Sequence, residues 1–232
     1  MDKLGIIGGM GPLATNIFYN KIISKTLAEK DQDHIWTVIS SHSTMPDRTS
    51  VIVNNDEKSV ILDAVKEDLK IMEAAGVSTI AIPCNTFHYF YDDVASLTNI
   101  EIINMVFETL KVYKENFGDT ACVLSTKGTK EARVYEKYAD KLGIKLTELP
   151  EETVDRLNKI VYNIKSTNNV IQPEFWEITR NIKEEFNPDG FIIACTELSL
   201  ISHEDGVNKK DFLDAMDVLV VESILRCGYP LK

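Results

Sequence analysis

Ile80-Ala81-Ile82-Pro83-Cys84-Asn85-Thr86 is a short apolar run that ends in a cysteine and two small polar residues. Phe191-Ile192-Ile193-Ala194-Cys195-Thr196-Glu197 repeats this arrangement in the second half of the chain. Apolar runs of this kind are typical of buried parallel strands, and in open α/β sheets ligands bind beyond the carboxyl ends of the strands. The two segments therefore predict two similar lobes that face each other across a cleft, with one cysteine on each wall.

The rest of the chain extends this pattern, because short apolar runs alternate with helix-periodic stretches. The runs cover residues 4–8, 36–40, 77–83, 101–104, 120–125, 144–149 and 191–194. The periodic stretches predict helices over 56–75, closed by Gly76, and over 129–142, 173–185 and 212–227. Alternation of strands and helices predicts an α/β protein with two pseudo-symmetric parallel-sheet lobes of the flavodoxin-like or Rossmann-like type, with a change of lobe near residue 100.

Charge and composition exclude several classes of function. The formal net charge is −11, and Lys209-Lys210 is the longest basic run, so we expect no nucleic-acid partner. No apolar stretch reaches the 18–20 residues of a membrane span or resembles a signal peptide, so we expect a cytoplasmic protein without a membrane partner. The four cysteines lack close spacing, which favours reduced thiols over disulfides.

The N-terminal loop Gly9-Met10-Gly11-Pro12-Leu13-Ala14 fits the glycine pattern of dinucleotide-binding proteins. That pattern also needs an acidic residue after the second strand, whereas here the strand at 36–40 continues into Ser41-His42-Ser43. We therefore expect no nicotinamide or flavin cofactor. Two interpretations stay open: a purely structural turn, or a turn whose backbone N–H groups face a small anion at the start of a helix with Pro12 in its first position.

Cys84 and Cys195 are the strongest candidates for catalysis. Each precedes a predicted helix start, where the helix dipole is expected to lower the pKa of a thiol. Taken singly, a cysteine in such a position is more often a buried apolar residue, as we expect for Cys122 and Cys227. Two thiols on opposite walls could remove a proton from one face of a carbon and return one to the other face. A zinc site with His42 and His88 is disfavoured because the local ligand spacing is absent.

Several motifs together resemble the aspartate/glutamate racemase family, and its aspartate racemase branch in particular. They are Gly8-Gly9-Met10-Gly11-Pro12, Pro83-Cys84-Asn85-Thr86 with His88, Ser125-Thr126-Lys127-Gly128-Thr129 and Cys195-Thr196-Glu197-Leu198. The resemblance implies catalysis without a cofactor or metal, a homodimer and a C-terminal helix that packs back on the first lobe. The expected lobes are therefore 1–99 with 208–232, and 100–207.

The resemblance also assigns roles to individual residues. It makes Cys84 and Cys195 the acid–base pair, and it places Asn85, Thr86, Thr126, Thr129 and Thr196 at the α-carboxylate of the substrate, beside the turn at Met10 and Gly11. It implies that Arg48 and Lys165 reach the side-chain carboxylate, which a guanidinium could bind in a bidentate way. Purely structural roles remain open for three of these residues. Arg48 could form an exposed salt bridge with Asp47, and Lys165 could be a surface residue. Glu197 could cap a helix, which we prefer to the alternative that it orients a thiol.

The sequence thus predicts an amino-acid racemase that acts on an acidic amino acid, aspartate first, through the two thiols. Three alternatives remain open at this point. The enzyme could be a glutamate or broad-specificity racemase, it could be a related decarboxylase or isomerase, or the protein could be a non-catalytic sensor that binds an acidic ligand in the cleft.

Overall fold

Eight short strands form the centre of the molecule. The computed structural model describes residues 2–201 and 209–232. The strands are β1 (Leu4–Gly8), β2 (Thr37–Ser41), β3 (Thr79–Ala81), β4 (Glu101–Ile102), β5 (Thr120–Leu124), β6 (Lys145–Leu146), β7 (Gly190–Ile193) and β8 (Phe212–Asp214). They build two sheets with the orders β2-β1-β3-β4 and β6-β5-β7-β8, and all pairs are parallel. The α/β prediction with two equivalent lobes is confirmed.

Ten α-helices connect and cover the strands in the described part of the chain. They are α1 (Pro12–Lys25), α2 (Arg48–Val53), α3 (Ser59–Ala75), α4 (Tyr91–Ala95), α5 (Met105–Asn116), α6 (Lys127–Glu131), α7 (Glu136–Leu142), α8 (Glu151–Thr167), α9 (Pro173–Phe186) and α10 (Ala215–Arg226). Helices cover both faces of each sheet, so β1, β3 and β7 are buried along their whole length. This explains why these strands are continuous apolar runs rather than alternating ones.

Two helix boundaries follow directly from local chemistry. Gly76 ends α3 in the left-handed conformation, with φ of 64°, where a residue without a Cβ atom avoids strain. Pro173 occupies the first turn of α9, where its missing N–H costs no hydrogen bond. The end of α3 at Gly76 and the start of α9 at Pro173 were both predicted from the sequence.

Two predicted helices are wrong in part. The stretch 129–142 is not one helix, because α6 ends at Glu131 and Arg133 has a positive φ of 51° before α7 begins. The stretch 212–227 begins as strand β8, which pairs with β7, and the helix starts only after Asp214. The carboxylate of Asp214 accepts a hydrogen bond from the backbone N–H of Met216 and so caps α10.

The strand pairs of the two sheets can be compared with the expected lobe boundaries. The boundary at 99/100 would separate β4 from the first sheet, although Glu101–Ile102 pairs with β3. The boundary at 207/208 lies outside the described residues, and β8 after it belongs to the second sheet. Helix α10 then packs on the first sheet's helix α1, and both contribute to one buried apolar cluster that includes Phe18, Ile22, Leu219 and Ile224. The division of the chain into two lobes at those residues stays a prediction.

The topology places the carboxyl ends of the two central strands of each sheet side by side. In each sheet the second and third strands of the order, β1 with β3 and β5 with β7, lie in the middle. Their carboxyl ends lead into the loops that carry the glycine turn, Cys84, Thr126 and Cys195. In the described ranges, no helix has the length and apolar character needed to cross a membrane.

Candidate active site

Both candidate cysteines line one small cavity between the two sheets. Cys84 follows β3, Cys195 follows β7, and both side chains are buried. The cavity is narrow, with a volume of about 10 Å³ for a water-sized sphere. Its walls comprise Met10, Asp47, Arg48, Thr49, Cys84, Asn85, Thr86, Thr126, Lys165, Cys195, Thr196 and Glu197. We call it the inner cavity.

The structure brings most of the predicted site residues to this cavity. Gly11 lies at its outer side, where a larger cavity of about 500 Å³ opens. The two cavities share Met10, Asp47, Arg48, Lys165 and Glu197. Thr129 is the exception, since it lines neither cavity. Direct contact of Thr129 with the substrate stays a prediction.

Thr129 instead holds two other hydroxyl groups in place. Its Oγ1 lies 2.8 Å from Thr86 Oγ1 and 3.1 Å from Thr126 Oγ1, and the last two are 3.0 Å apart. Thr86 follows β3 and Thr126 follows β5, so this buried triangle of hydroxyls joins the two lobes. Thr126 also caps α6 by accepting a hydrogen bond from the N–H of Thr129.

Cys195 has an acidic partner. Its Sγ donates a hydrogen bond to Glu197 Oε2 at 3.2 Å, and Glu197 is itself buried. The side chain of Glu197 makes no capping hydrogen bond to the following turn. The preferred sequence interpretation of Glu197 as a helix cap is therefore wrong, and the alternative, an acidic group that orients a thiol, describes the geometry.

This environment raises the pKa of the Cys195 thiol well above its usual value. Burial is the main cause, the negative charge of Glu197 adds to it, and Lys165 and the backbone N–H of Glu197 act in the opposite direction. The expectation that a helix start lowers the pKa is wrong for Cys195. The residues after each cysteine form short 3₁₀ turns, Thr86–Phe90 and Leu198–Leu200, rather than α-helices with aligned dipoles.

His88 fixes the loop that carries Cys84. Its Nε2 accepts a hydrogen bond from the N–H of Met105 at 3.1 Å, so the proton lies on Nδ1, which donates to the carbonyl oxygen of Cys84 at 2.9 Å. Burial lowers the pKa of His88, although the nearby carbonyl groups of Cys84 and Ile103 act in the opposite direction. A neutral imidazole therefore anchors the backbone beside the first thiol.

Two buried side-chain nitrogen atoms have no hydrogen-bond partner in the described part of the chain, and both belong to residues of the inner cavity. They are Arg48 Nε and Asn85 Nδ2. Arg48 donates from Nη1 to the carbonyl oxygens of Met45 at 3.3 Å and Pro46 at 2.9 Å. An unsatisfied buried donor is costly, so these two groups are suited to a bound acceptor. Because Arg48 is buried, the alternative of an exposed salt bridge with Asp47 is wrong.

Asp47 and Lys165 add one charge of each sign. Burial acts to raise the pKa of Asp47, but hydrogen bonds from Ser50 and the charges of Arg48 and Lys165 lower it overall. Desolvation acts to lower the pKa of Lys165, but the attraction of Glu197 and of both cysteine sulfurs raises it overall. Both groups are therefore ionised at neutral pH, and the cavity presents two cations and a carboxylate beside the Cys195–Glu197 pair.

The glycine turn is closed by its own hydrogen bonds. Thr15 Oγ1 accepts from the N–H of Gly9 at 2.9 Å and donates to the carbonyl oxygen of Gly11 at 2.8 Å. Gly9 has a φ of 83°, and a Cβ atom there would lie 2.5 Å from the backbone of His42. The N–H of Gly9 is thus unavailable to an anion. A Cβ atom at Gly11 would lie 3.1 Å from Glu197 Oε1, so this turn borders the acidic partner of Cys195.

Sequence reasoning missed three residues. Asp47 and Thr49 flank Arg48 and line the inner cavity, and their only signal was their proximity to that arginine in the sequence. Tyr135 lies behind the cavity and donates a hydrogen bond to Asn85 Oδ1 at 2.6 Å. Nothing in the sequence distinguished Tyr135 from aromatic residues that only pack in the core.

The two remaining cysteines behave as core residues, as predicted. Burial raises the pKa of Cys122 to about 12 and that of Cys227 to about 11. Among residues 2–201 and 209–232, no three or more His, Cys, Asp and Glu side chains are grouped so that they could hold a metal ion. His42 pairs instead with buried Asp68, at 2.8 Å from Nδ1 to Oδ2.

Comparison with known proteins decides the family. The sequence pattern of the Asp/Glu/hydantoin racemases matches residues 7–222. The chain belongs to this family. The resemblance inferred from the motifs is confirmed, and this racemase is an enzyme of a family whose members act at stereocentres.

Individual proteins are similar to this racemase in sequence or in fold. A broad-specificity amino-acid racemase, RacX of Bacillus subtilis (strain 168), is 29% identical over 207 residues, which cover 85% of this chain and 86% of RacX. The structure of the Picrophilus torridus aspartate racemase is 27% identical, covers 99% of this chain and 96% of its own, and superimposes with a TM-score of 0.79. The glutamate racemase of Campylobacter jejuni subsp. jejuni, at 16% identity, 99% and 88% coverage and a TM-score of 0.68, shares the fold.

Proposed function

We propose that this racemase interconverts the L- and D-forms of an acidic amino acid, with aspartate as the first candidate. The observation that carries the proposal is the pair of unpartnered buried donors, Arg48 Nε and Asn85 Nδ2, in a cavity that both candidate thiols line. Two separate donors suit a ligand with two carboxylates. The structural similarity to the Picrophilus torridus aspartate racemase supports the same choice.

In this proposal, each end of the substrate has its own partners. The α-carboxylate binds at Asn85 Nδ2 and the hydroxyls of Thr86 and Thr126, which the triangle with Thr129 holds in place. The side-chain carboxylate binds at Arg48, with Lys165 contributing a second positive charge. An acidic amino acid also carries an ammonium group, which matches the presence of carboxylates in the same walls.

The chemistry requires no group beyond the protein. One cysteine, as the thiolate, takes the proton from Cα, and the electron pair of the broken C–H bond is delocalised into the α-carboxylate. The other cysteine, as the thiol, gives its proton to the opposite face of Cα, which forms the new C–H bond and inverts the centre. Donors already placed around the carboxylate stabilise the charge that develops there.

Cys195 is suited to be the thiol in the resting enzyme. Its pKa is raised and Glu197 accepts its hydrogen bond. When the reaction runs in the opposite direction, Cys195 must instead give up its proton and Cys84 must take one up from solvent before the two exchange roles. Glu197 lies 3.2 Å from the sulfur of Cys195 and can take its proton.

Single substitutions of the two thiols test the proposal. Cys84→Ser and Cys195→Ser should each abolish racemisation of aspartate, measured by chiral chromatography from both the L- and the D-form. Cys122→Ser provides a matched control, because Cys122 is a buried cysteine that belongs to the core of the second lobe. Near-normal turnover in either active-site variant would show that the two-thiol mechanism is wrong.

A broader substrate range is the second candidate. The inner cavity opens into the outer one beyond Arg48 and Lys165, and that outer cavity has apolar walls that include Pro12, Leu13, Met45 and Leu200. Larger side chains could extend into it, and the similarity to the broad-specificity racemase RacX points the same way. A screen of the twenty L-amino acids for formation of the D-form separates the two candidates: turnover confined to aspartate and glutamate supports the first, and comparable turnover of large neutral side chains supports the second.

A further inference from the structure

Tyr135 connects the core of the second lobe to a substrate-facing residue of the first. Its side chain is buried, and its hydroxyl donates a hydrogen bond to Asn85 Oδ1 at 2.6 Å. Tyr135 does not itself line the inner cavity, whereas Asn85 does. The hydrogen-bonded route from this hydroxyl to a ligand in the cavity therefore runs through the Asn85 amide.

The direction of this hydrogen bond determines which end of the amide meets the ligand. An asparagine side chain carries one acceptor oxygen and one donor NH₂ group. The Tyr135 hydroxyl occupies the oxygen, and the NH₂ group is the buried donor without a partner. Burial, together with the charges of Asp214 and Cys195, raises the pKa of Tyr135 well above its usual value, so the hydroxyl keeps its proton and remains a donor.

The break between α6 and α7 places the tyrosine. The backbone takes a positive φ at Arg133, and the N–H of Val134 then returns to the carbonyl oxygen of Thr129 at 3.2 Å. Tyr135, the next residue in the chain, is therefore held close to the triangle of threonine hydroxyls. The same turn thus fixes Thr129, which holds Thr86 and Thr126, and Tyr135, which holds Asn85.

We propose that Tyr135 is a positioning residue for racemisation: its hydroxyl fixes the Asn85 amide so that the NH₂ group, and not the oxygen, faces the α-carboxylate of the substrate. This inference rests on the proposed function, because it assigns the α-carboxylate to Asn85. Without the hydroxyl, the amide can rotate and present its oxygen to the carboxylate, which weakens binding.

Tyr135→Phe tests the proposal, since it removes the hydroxyl and keeps the ring. We expect KM for aspartate to rise and kcat/KM to fall roughly tenfold, the effect of one hydrogen bond. Tyr113→Phe is the matched control, because Tyr113 is also buried and donates a 2.6 Å hydrogen bond, but to the backbone oxygen of Thr120. The control should leave KM unchanged, although both variants lose one buried hydrogen bond.

A double-mutant cycle separates positioning from a general structural effect. In an Asn85→Ala background, Tyr135→Phe should cause no further loss of aspartate affinity, measured as Kd by calorimetry. Additive losses, an unchanged KM in Tyr135→Phe, or an equal loss in Tyr113→Phe would each overturn the proposal. The calorimetric arm does not depend on turnover. A wild-type protein that binds aspartate without racemising it would therefore refute the proposed function, and the cycle would still decide the role of Tyr135.

Discussion

Arg48→Met is the substitution that most sharply tests substrate choice. Arg48 is buried, its Nη1 is bound to two backbone carbonyl groups, and its Nε has no partner. The account assigns that free donor to the side-chain carboxylate of aspartate. Methionine is unbranched and reaches about as far as Nε of arginine, without a charge or a donor. The substitution should therefore impair aspartate turnover and spare alanine, which has no second carboxylate.

The size of the effect follows from one hydrogen bond between charged groups. Such a bond contributes ~1.5–3 kcal/mol. Loss of that energy in the transition state lowers kcat/KM for aspartate roughly 10- to 150-fold. The kcat/KM for alanine should change less than about threefold, because alanine has no carboxylate for Arg48 to bind.

The assay measures kcat/KM for L-aspartate and L-alanine side by side, with chiral chromatography of the products. Arg156→Met serves as the control, because Arg156 forms its ion pairs with Glu174 and Glu177 on the surface of α8 and α9. Thermal unfolding of each variant shows whether the loss of two carbonyl contacts has destabilised the fold. Equal losses for aspartate and alanine in a folded Arg48→Met protein would refute the side-chain role of this arginine.

Two further predictions concern groups whose pKa is shifted. Glu197→Gln removes a negative charge that raises the pKa of Cys195. Alkylation of Cys195, followed by mass spectrometry, should therefore reach a given rate at lower pH, and aspartate racemisation should fall about tenfold or more. An unchanged pH profile of alkylation would contradict this prediction. His88 is buried and its pKa is lowered. As the pH falls, the imidazole of His88 is therefore protonated near pH 6.5 in the unfolded chain, before it is protonated in the folded protein. The free energy of unfolding should fall below that pH by up to about 1.4 kcal/mol per pH unit. His88→Gln should remove that component from urea unfolding curves between pH 6.5 and 5, and an identical slope in both proteins would exclude His88 as its source.

The features that sequence alone predicted are those set by short-range pattern. Buried strands such as β1 and β7 are apolar throughout, and a glycine such as Gly76 ends a helix for a steric reason that acts locally. Cys84 and Cys195 could be paired because each follows such a strand, and parallel strands deliver their carboxyl ends to one edge. Family resemblance predicted most of the other residues of the cavity walls, but not Asp47 and Thr49.

The features that sequence missed depend on tertiary contacts. The run before Asp214 is helix-periodic, but β7 offers it an open edge and it pairs there as β8. The break at Arg133 has no proline or glycine to announce it, so Tyr135 could not be placed beside Asn85. The pKa of Cys195 was predicted with the wrong sign because burial and the Glu197 carboxylate outweigh the effect of a short turn.

The central claim is that two different thiols act on opposite faces of one carbon, and racemisation in D₂O tests it most directly. The enzyme is incubated with protiated L-aspartate and, separately, with D-aspartate, and both enantiomers are analysed by mass spectrometry at low conversion. The account predicts one deuterium at Cα in every product molecule and none in the remaining substrate, in both directions. Deuterium in the unreacted substrate at a rate comparable to product formation, or protium carried over into the product, would mean that a single base serves both faces.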